Sequence, residues 1–172
     1  MLHLFKTFWD ICRLKAGPQD VPAGRNLLFA AFIAAIIMDS FATSILMPSL
    51  GGIETVQIVT LYNIILITAI YLLLRLIGYA SRGLQTLTAL LASGLLISLV
   101  LLPGLLVMNS AAEEVKSFAF YVLADTIWRL TVNTHIFRHA FSINLMLAMI
   151  LSLSYFIFGL FVADILIPTQ KP

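Results

Sequence analysis

Charge is what this sequence has least of. Its 172 residues hold ten Lys/Arg and eight Asp/Glu, 10% charged in all, against 61% hydrophobic residues. Soluble domains carry about 25% charge, so eighteen ionisable side chains could not cover a surface of this size with hydrated groups. The shortage of charge excludes a soluble domain. High hydrophobicity also excludes a disordered chain. One cysteine, Cys12, excludes an internal disulfide framework. A net charge of +2 is too small to gather phosphates, which excludes nucleic acid as a partner. No Gly-x-Ser-x-Gly turn and no His-Glu-x-x-His helix occurs, so a catalytic nucleophile or a metal centre is not expected, nor is any cofactor.

What remains is apolar sequence in long runs. Crossing the hydrocarbon of a bilayer takes about 20 residues at 1.5 Å each. Five stretches meet that length: residues 26–48, 54–77, 84–108, 117–137 and 142–166. They predict an all-α, polytopic membrane bundle of five transmembrane helices, a membrane domain covering 26–168. The connections are only a few residues long, so consecutive spans must be antiparallel. The fourth stretch is the least apolar, holding Asp125, Arg129, Asn133 and His135. Pro103-Gly104 should loosen the outer end of the third span. Ala30/Ala34 and Ala31/Ala35 give the first span a small-residue face for close helix approach.

Basic residues set the orientation. Lys6, Arg13, Lys15, Arg25, Arg75, Arg82 and Arg138 fall on one side, Lys116 and Lys171 on the other. Seven against two places the N-terminus in the cytoplasm and the C-terminus outside, as five spans require. The expected location is a bacterial inner membrane, multi-pass.

Residues 1–25 read differently. Leu2, Phe5, Phe8, Trp9 and Cys12 share one helical face, while Lys6, Asp10 and Arg13 share the other. That pattern predicts an N-terminal amphipathic helix in the cytoplasmic interface, with Phe5 and Trp9 in contact with lipid. Ala16-Gly17-Pro18 ends it, and residues 19–24 link it to the first span. The alternative is a docking site for a soluble partner.

Ionisable groups inside a membrane are costly, so each is a functional candidate. Counted inward from the outer span ends, Asp39 and Asn63 lie roughly 13 Å deep, Ser98 roughly 15 Å, Asp125 roughly 12 Å and Arg129 roughly 18 Å. Four spans thus place a polar side chain in one layer. Asp125, Arg129 and Asn133 form an i, i+4, i+8 stripe, and Asp39 can meet Arg129 if the first and fourth spans touch. Two roles compete for this polar network: structural glue, or a proton or ion relay with one acid in excess of its cation. His135 and His139 have the i, i+4 spacing of metal ligands, but Arg138 beside them repels cations. Interfacial contact with lipid headgroups is the expected role of all three.

The hydropathy pattern over nearly the whole chain resembles the Yip (Rab/Ypt-interacting) domain family, in particular its short bacterial members. Arg13-Leu14-Lys15-Ala16-Gly17-Pro18-Gln19-Asp20-Val21-Pro22 and the run from Trp128 to His135-Ile136-Phe137-Arg138-His139-Ala140 look like segments of such proteins. Of the Asp-Leu-Tyr-Gly-Pro motif of eukaryotic members, only Gly17-Pro18 is present. The resemblance implies a non-enzymatic scaffold, adaptor or accessory subunit, with a membrane-protein partner or a second copy besides the bilayer. The alternative function is a small oligomeric proton- or ion-coupled permease using the Asp/Arg network.

Overall fold

A computed structural model describes residues 2–110 and 115–167, and these residues are helical with no strands. Helix α1 covers Leu2–Cys12, a short 3-10 turn follows at Pro18–Asp20, and five long helices follow among the described residues. They are α2 (Arg25–Leu46), α3 (Gly52–Leu76), α4 (Gly83–Ser110), α5 (Val115–Ala140) and α6 (Leu145–Leu166). Four of them, α2, α3, α4 and α6, are long and apolar enough to cross a membrane. α5 has 26 residues and is long enough, but its polar residues set it apart from those four. The helix runs through Pro103 inside α4 without a break.

Local chemistry explains where these helices stop and start. α3 ends at Gly78, whose φ of +89° lets Tyr79 N–H reach back to Leu74 O (2.7 Å) and Gly78 N–H to Arg75 O (3.2 Å). This paired closure satisfies carbonyls that the helix itself leaves open, in a left-handed geometry that glycine adopts without penalty. α6 begins at Asn144, whose side-chain oxygen accepts from Leu147 N–H at 2.9 Å. The end of α5 is held by Arg82, which donates to the carbonyls of His139 and Ala140 and to Ser142 Oγ. A cation there also complements the negative end of the helix dipole.

The long helices close into a ring in the order α2, α3, α6, α5, α4, and back to α2. Ala31 and Ala35 of α2 lie buried against Leu91 and Ala92 of α4, the close approach that small residues permit. The outside of the ring is apolar: Phe29, Ile37, Phe161 and Ile165 are each more than 60% exposed. Apolar surface on this scale needs a nonaqueous neighbour, which for a ring of long apolar helices is lipid.

α1 does not stand apart from the ring. It packs on α4 and α5, and Ile11 and Cys12 are buried in the main core with Val132, Ile136 and Phe137. The Cys12 thiol donates to Ser93 O, and the Trp128 indole N–H donates to Cys12 O at 3.2 Å. Beyond it, Gln85 donates to the carbonyls of Gln19 and Val21. Asp20 accepts from Gly17 N–H at 2.8 Å, closing the 3-10 turn on itself. The buried face of α1 is centred on Thr7, Ile11 and Cys12, while Phe5 is 58% exposed and Trp9 is half-buried.

Candidate functional site

Packed apolar side chains fill the end of the ring that carries α1, but the other half encloses a cavity of about 510 Å³. It extends to Met47 at the end of α2 and Ile167 at the end of α6. Each of the five long helices contributes to its wall, and all six residues of the expected polar network line it: Asp39, Asn63, Ser98, Asp125, Arg129 and Asn133.

Five of these residues form two hydrogen-bonded groups in the wall. In one, α3 presents Asn63, which donates through Nδ2 to Asp39 Oδ2 on α2 at 3.3 Å and to Val59 O at 3.1 Å. In the other, Arg129 donates from Nε to both oxygens of Asp125, at 2.8 and 2.9 Å, one helical turn away. The Arg129 Nη2 donates to Ser98 Oγ on α4 at 2.6 Å. Asp39 and Arg129, of opposite charge, line the same cavity. Among the described residues the one ion pair is Arg129 with Asp125, so the direct Asp39–Arg129 contact considered from sequence does not form. Asn133 lines the wall outside both groups.

The pairing leaves an imbalance. Arg129 is matched by Asp125 and braced by Ser98, whereas the Asp39 carboxylate has a single amide donor. Arg129 and Asp125 keep 35% and 27% of their side-chain surface open, so the pair faces the cavity rather than being sealed between helices.

Sequence reasoning overlooked the aromatic part of the wall. Tyr62, Tyr121 and Tyr155 line the same cavity. Glycines opposite large side chains make room for them. A Cβ on Gly159 of α6 would stand 2.8 Å from the Tyr62 hydroxyl, and one on Gly104 of α4 would stand 3.4 Å from the Tyr121 ring. Gly94 similarly makes room for Arg129, whose Nη1 lies 3.3 Å from where a Cβ would be. A glycine inside an apolar span is the sequence signal that could have found these contacts.

The remaining candidates sit at the α1 end. The His135 ring nitrogen Nε2 makes a 2.9 Å hydrogen bond with Ala16 O, and His135 meets His139 edge to face at 4.6 Å. His135 thus ties α5 to the chain just before Gly17-Pro18, while Arg138 and His139 are exposed. Among the described residues no group of three His, Cys, Asp or Glu could hold a metal ion. Burial pushes the Cys12 thiol up to about 11. Comparison with protein-family models, with curated proteins and with solved structures returns no match.

Proposed function

We propose that the chain is a five-span permease of a bacterial inner membrane, its N-terminus cytoplasmic, moving a solute in exchange or symport with a proton or ion. In this reading α5 is the fifth span, and its low apolar content reflects the side chains it turns into the ring. The observation that carries the proposal is that two separate charged groups, Asp39–Asn63 and Asp125–Arg129–Ser98, line one cavity of about 510 Å³. Glue would be expected to close these groups on each other, since a partly satisfied polar network is worse than apolar packing. Open charged surface inside a membrane is retained where something binds.

The second reading, a Yip-like scaffold or adaptor acting through a membrane-protein partner, is favoured by a contact at the other end. Residues 13–22 and 128–140, the segments that carry the resemblance, meet through His135 and Ala16. The two readings separate in proteoliposomes loaded with a pH-sensitive dye. With a pH gradient imposed and tetraethylammonium or Na+ on the opposite side, the permease discharges the gradient at a rate that Asp39→Asn lowers at least tenfold. Flux no faster than in empty vesicles, from folded protein that retains a stoichiometric partner on purification, would overturn the permease and support the adaptor.

A further inference from the structure

Resting on the permease reading, we propose that the cavity takes a lipophilic monovalent cation, an amine or quaternary ammonium with an apolar body, whose charge sits against Asp39. The charge balance of the walls supports this choice. Arg129 is neutralised by Asp125, whose two oxygens share its Nε–H, and one Nη2 N–H goes to Ser98, so this pair brings no net positive charge to the cavity. Asp39 carries the unmatched charge, with only Asn63 donating to it. A cation is therefore the ligand that makes the cavity neutral. The rest of the wall fits the body of such a ligand. Met38, Leu46 and Leu160 supply apolar surface, and Tyr62, Tyr121 and Tyr155 supply rings whose faces attract cations.

A proton and the cation are alternatives at Asp39: when the carboxyl is protonated, each cation that binds releases one proton. The groups facing Asp39 bear on this exchange from every neighbouring helix. They are Arg129 and Asp125 on α5, Tyr62 on α3 and Tyr155 on α6, with uncharged Ser98 on α4. Among these, Asp39 is the one carboxylate without a cationic partner in contact. It is the place where a solute and a proton compete.

The test is equilibrium dialysis of the purified full chain in detergent against tetraphenylphosphonium, with tetraphenylborate as an ion of the same shape and opposite charge. The expected result is one saturable site for tetraphenylphosphonium and none for tetraphenylborate, tightening as pH rises. Asp39→Asn should weaken it at least tenfold and flatten the pH dependence. Ala42→Phe, which fills the cavity without altering a charge, should also remove the site; thermal melts show that each variant is folded. Saturable tetraphenylborate binding that survives Asp39→Asn would overturn the inference and make Arg129 the anchor of an anion site. Phosphonium binding unchanged in a folded Asp39→Asn or Ala42→Phe protein would overturn it too. If phosphonium fails to bind while proton flux still depends on Asp39, the ligand class is wrong and the permease stands; loss of that flux overturns both.

Discussion

Truncating Arg129 to Ala tests how the charged wall is built. The side chain makes two hydrogen bonds to Asp125 and one to Ser98, all between 2.6 and 2.9 Å. Removing one partner of a sealed ion pair costs on the order of 3–5 kcal/mol. Two effects reduce that figure here. About a third of each side chain is open to the cavity, and interhelical hydrogen bonds in membranes average only about 0.6 kcal/mol each. Roughly 2 kcal/mol is the expected loss, or a midpoint lower by about 4–8 °C for a chain of this size. Trp128 lies next to Arg129 in sequence and anchors α1, so its fluorescence reports the transition in detergent. The loss should grow at high pH, where two carboxylates face each other with no guanidinium between them. Double-mutant cycles then divide the effect. Asp125→Asn should be strongly coupled to Arg129→Ala, and Asp39→Asn only weakly, because Arg129 pairs with Asp125 and not with Asp39. Coupling to Asp39 as large as that to Asp125 would refute the two-group arrangement. Simple additivity at both positions would refute the shared cavity.

Two further outcomes follow from the α1 end and from the charge distribution. Cys12 is 4% exposed with its thiol raised to about 11, so maleimide at pH 7.5 should label the folded protein at least about 100-fold more slowly than the same chain in SDS. Trp128→Phe, which removes the donor to Cys12 O, should speed labelling severalfold; equal rates in folded and denatured wild type would mean that α1 is not docked. A reporter enzyme that works only outside the cytoplasm should be active when fused after Gly51 or Pro172 and silent after Arg82, from the seven-to-two split of basic residues. Activity after Arg82 would overturn the orientation and the span count, and a silent fusion at Pro172 beside an active one at Gly51 would remove α5 as a span.

Helix positions were the most legible feature, because bilayer thickness fixes the length of an apolar run and Gly, Pro and Asn mark its ends. The expected 54–77 became Gly52–Leu76, closed at Gly78. α5 ran on to Ala140, past the expected 137, because Arg82, distant in sequence, holds its last carbonyls. The five polar residues counted to similar depth line one cavity, since depth along a helix is counted in residues. What depth could not give was who bonds whom, for that depends on rotation about each helix axis and on side-chain reach. Arg129 could turn along its own helix to Asp125 or across to Asp39, and one-dimensional spacing treats both alike; the carboxylate one turn away on the same helix wins, both its oxygens sharing the Nε–H. The face of α1 shows the same limit. Periodicity picked Phe5, Trp9 and Cys12 as one apolar stripe, but contacts that set the buried face come from Ser93 and Trp128, 81 and 116 residues away. Empty space is harder still to read. Gly94, Gly104 and Gly159 lie close against Arg129, Tyr121 and Tyr62, three side chains that line the cavity. A glycine in an apolar run looks like packing material until the large residue opposite it is known. Once that pairing is known, the glycines mark where Arg129, Tyr121 and Tyr62 stand around the volume that Asp39 also lines.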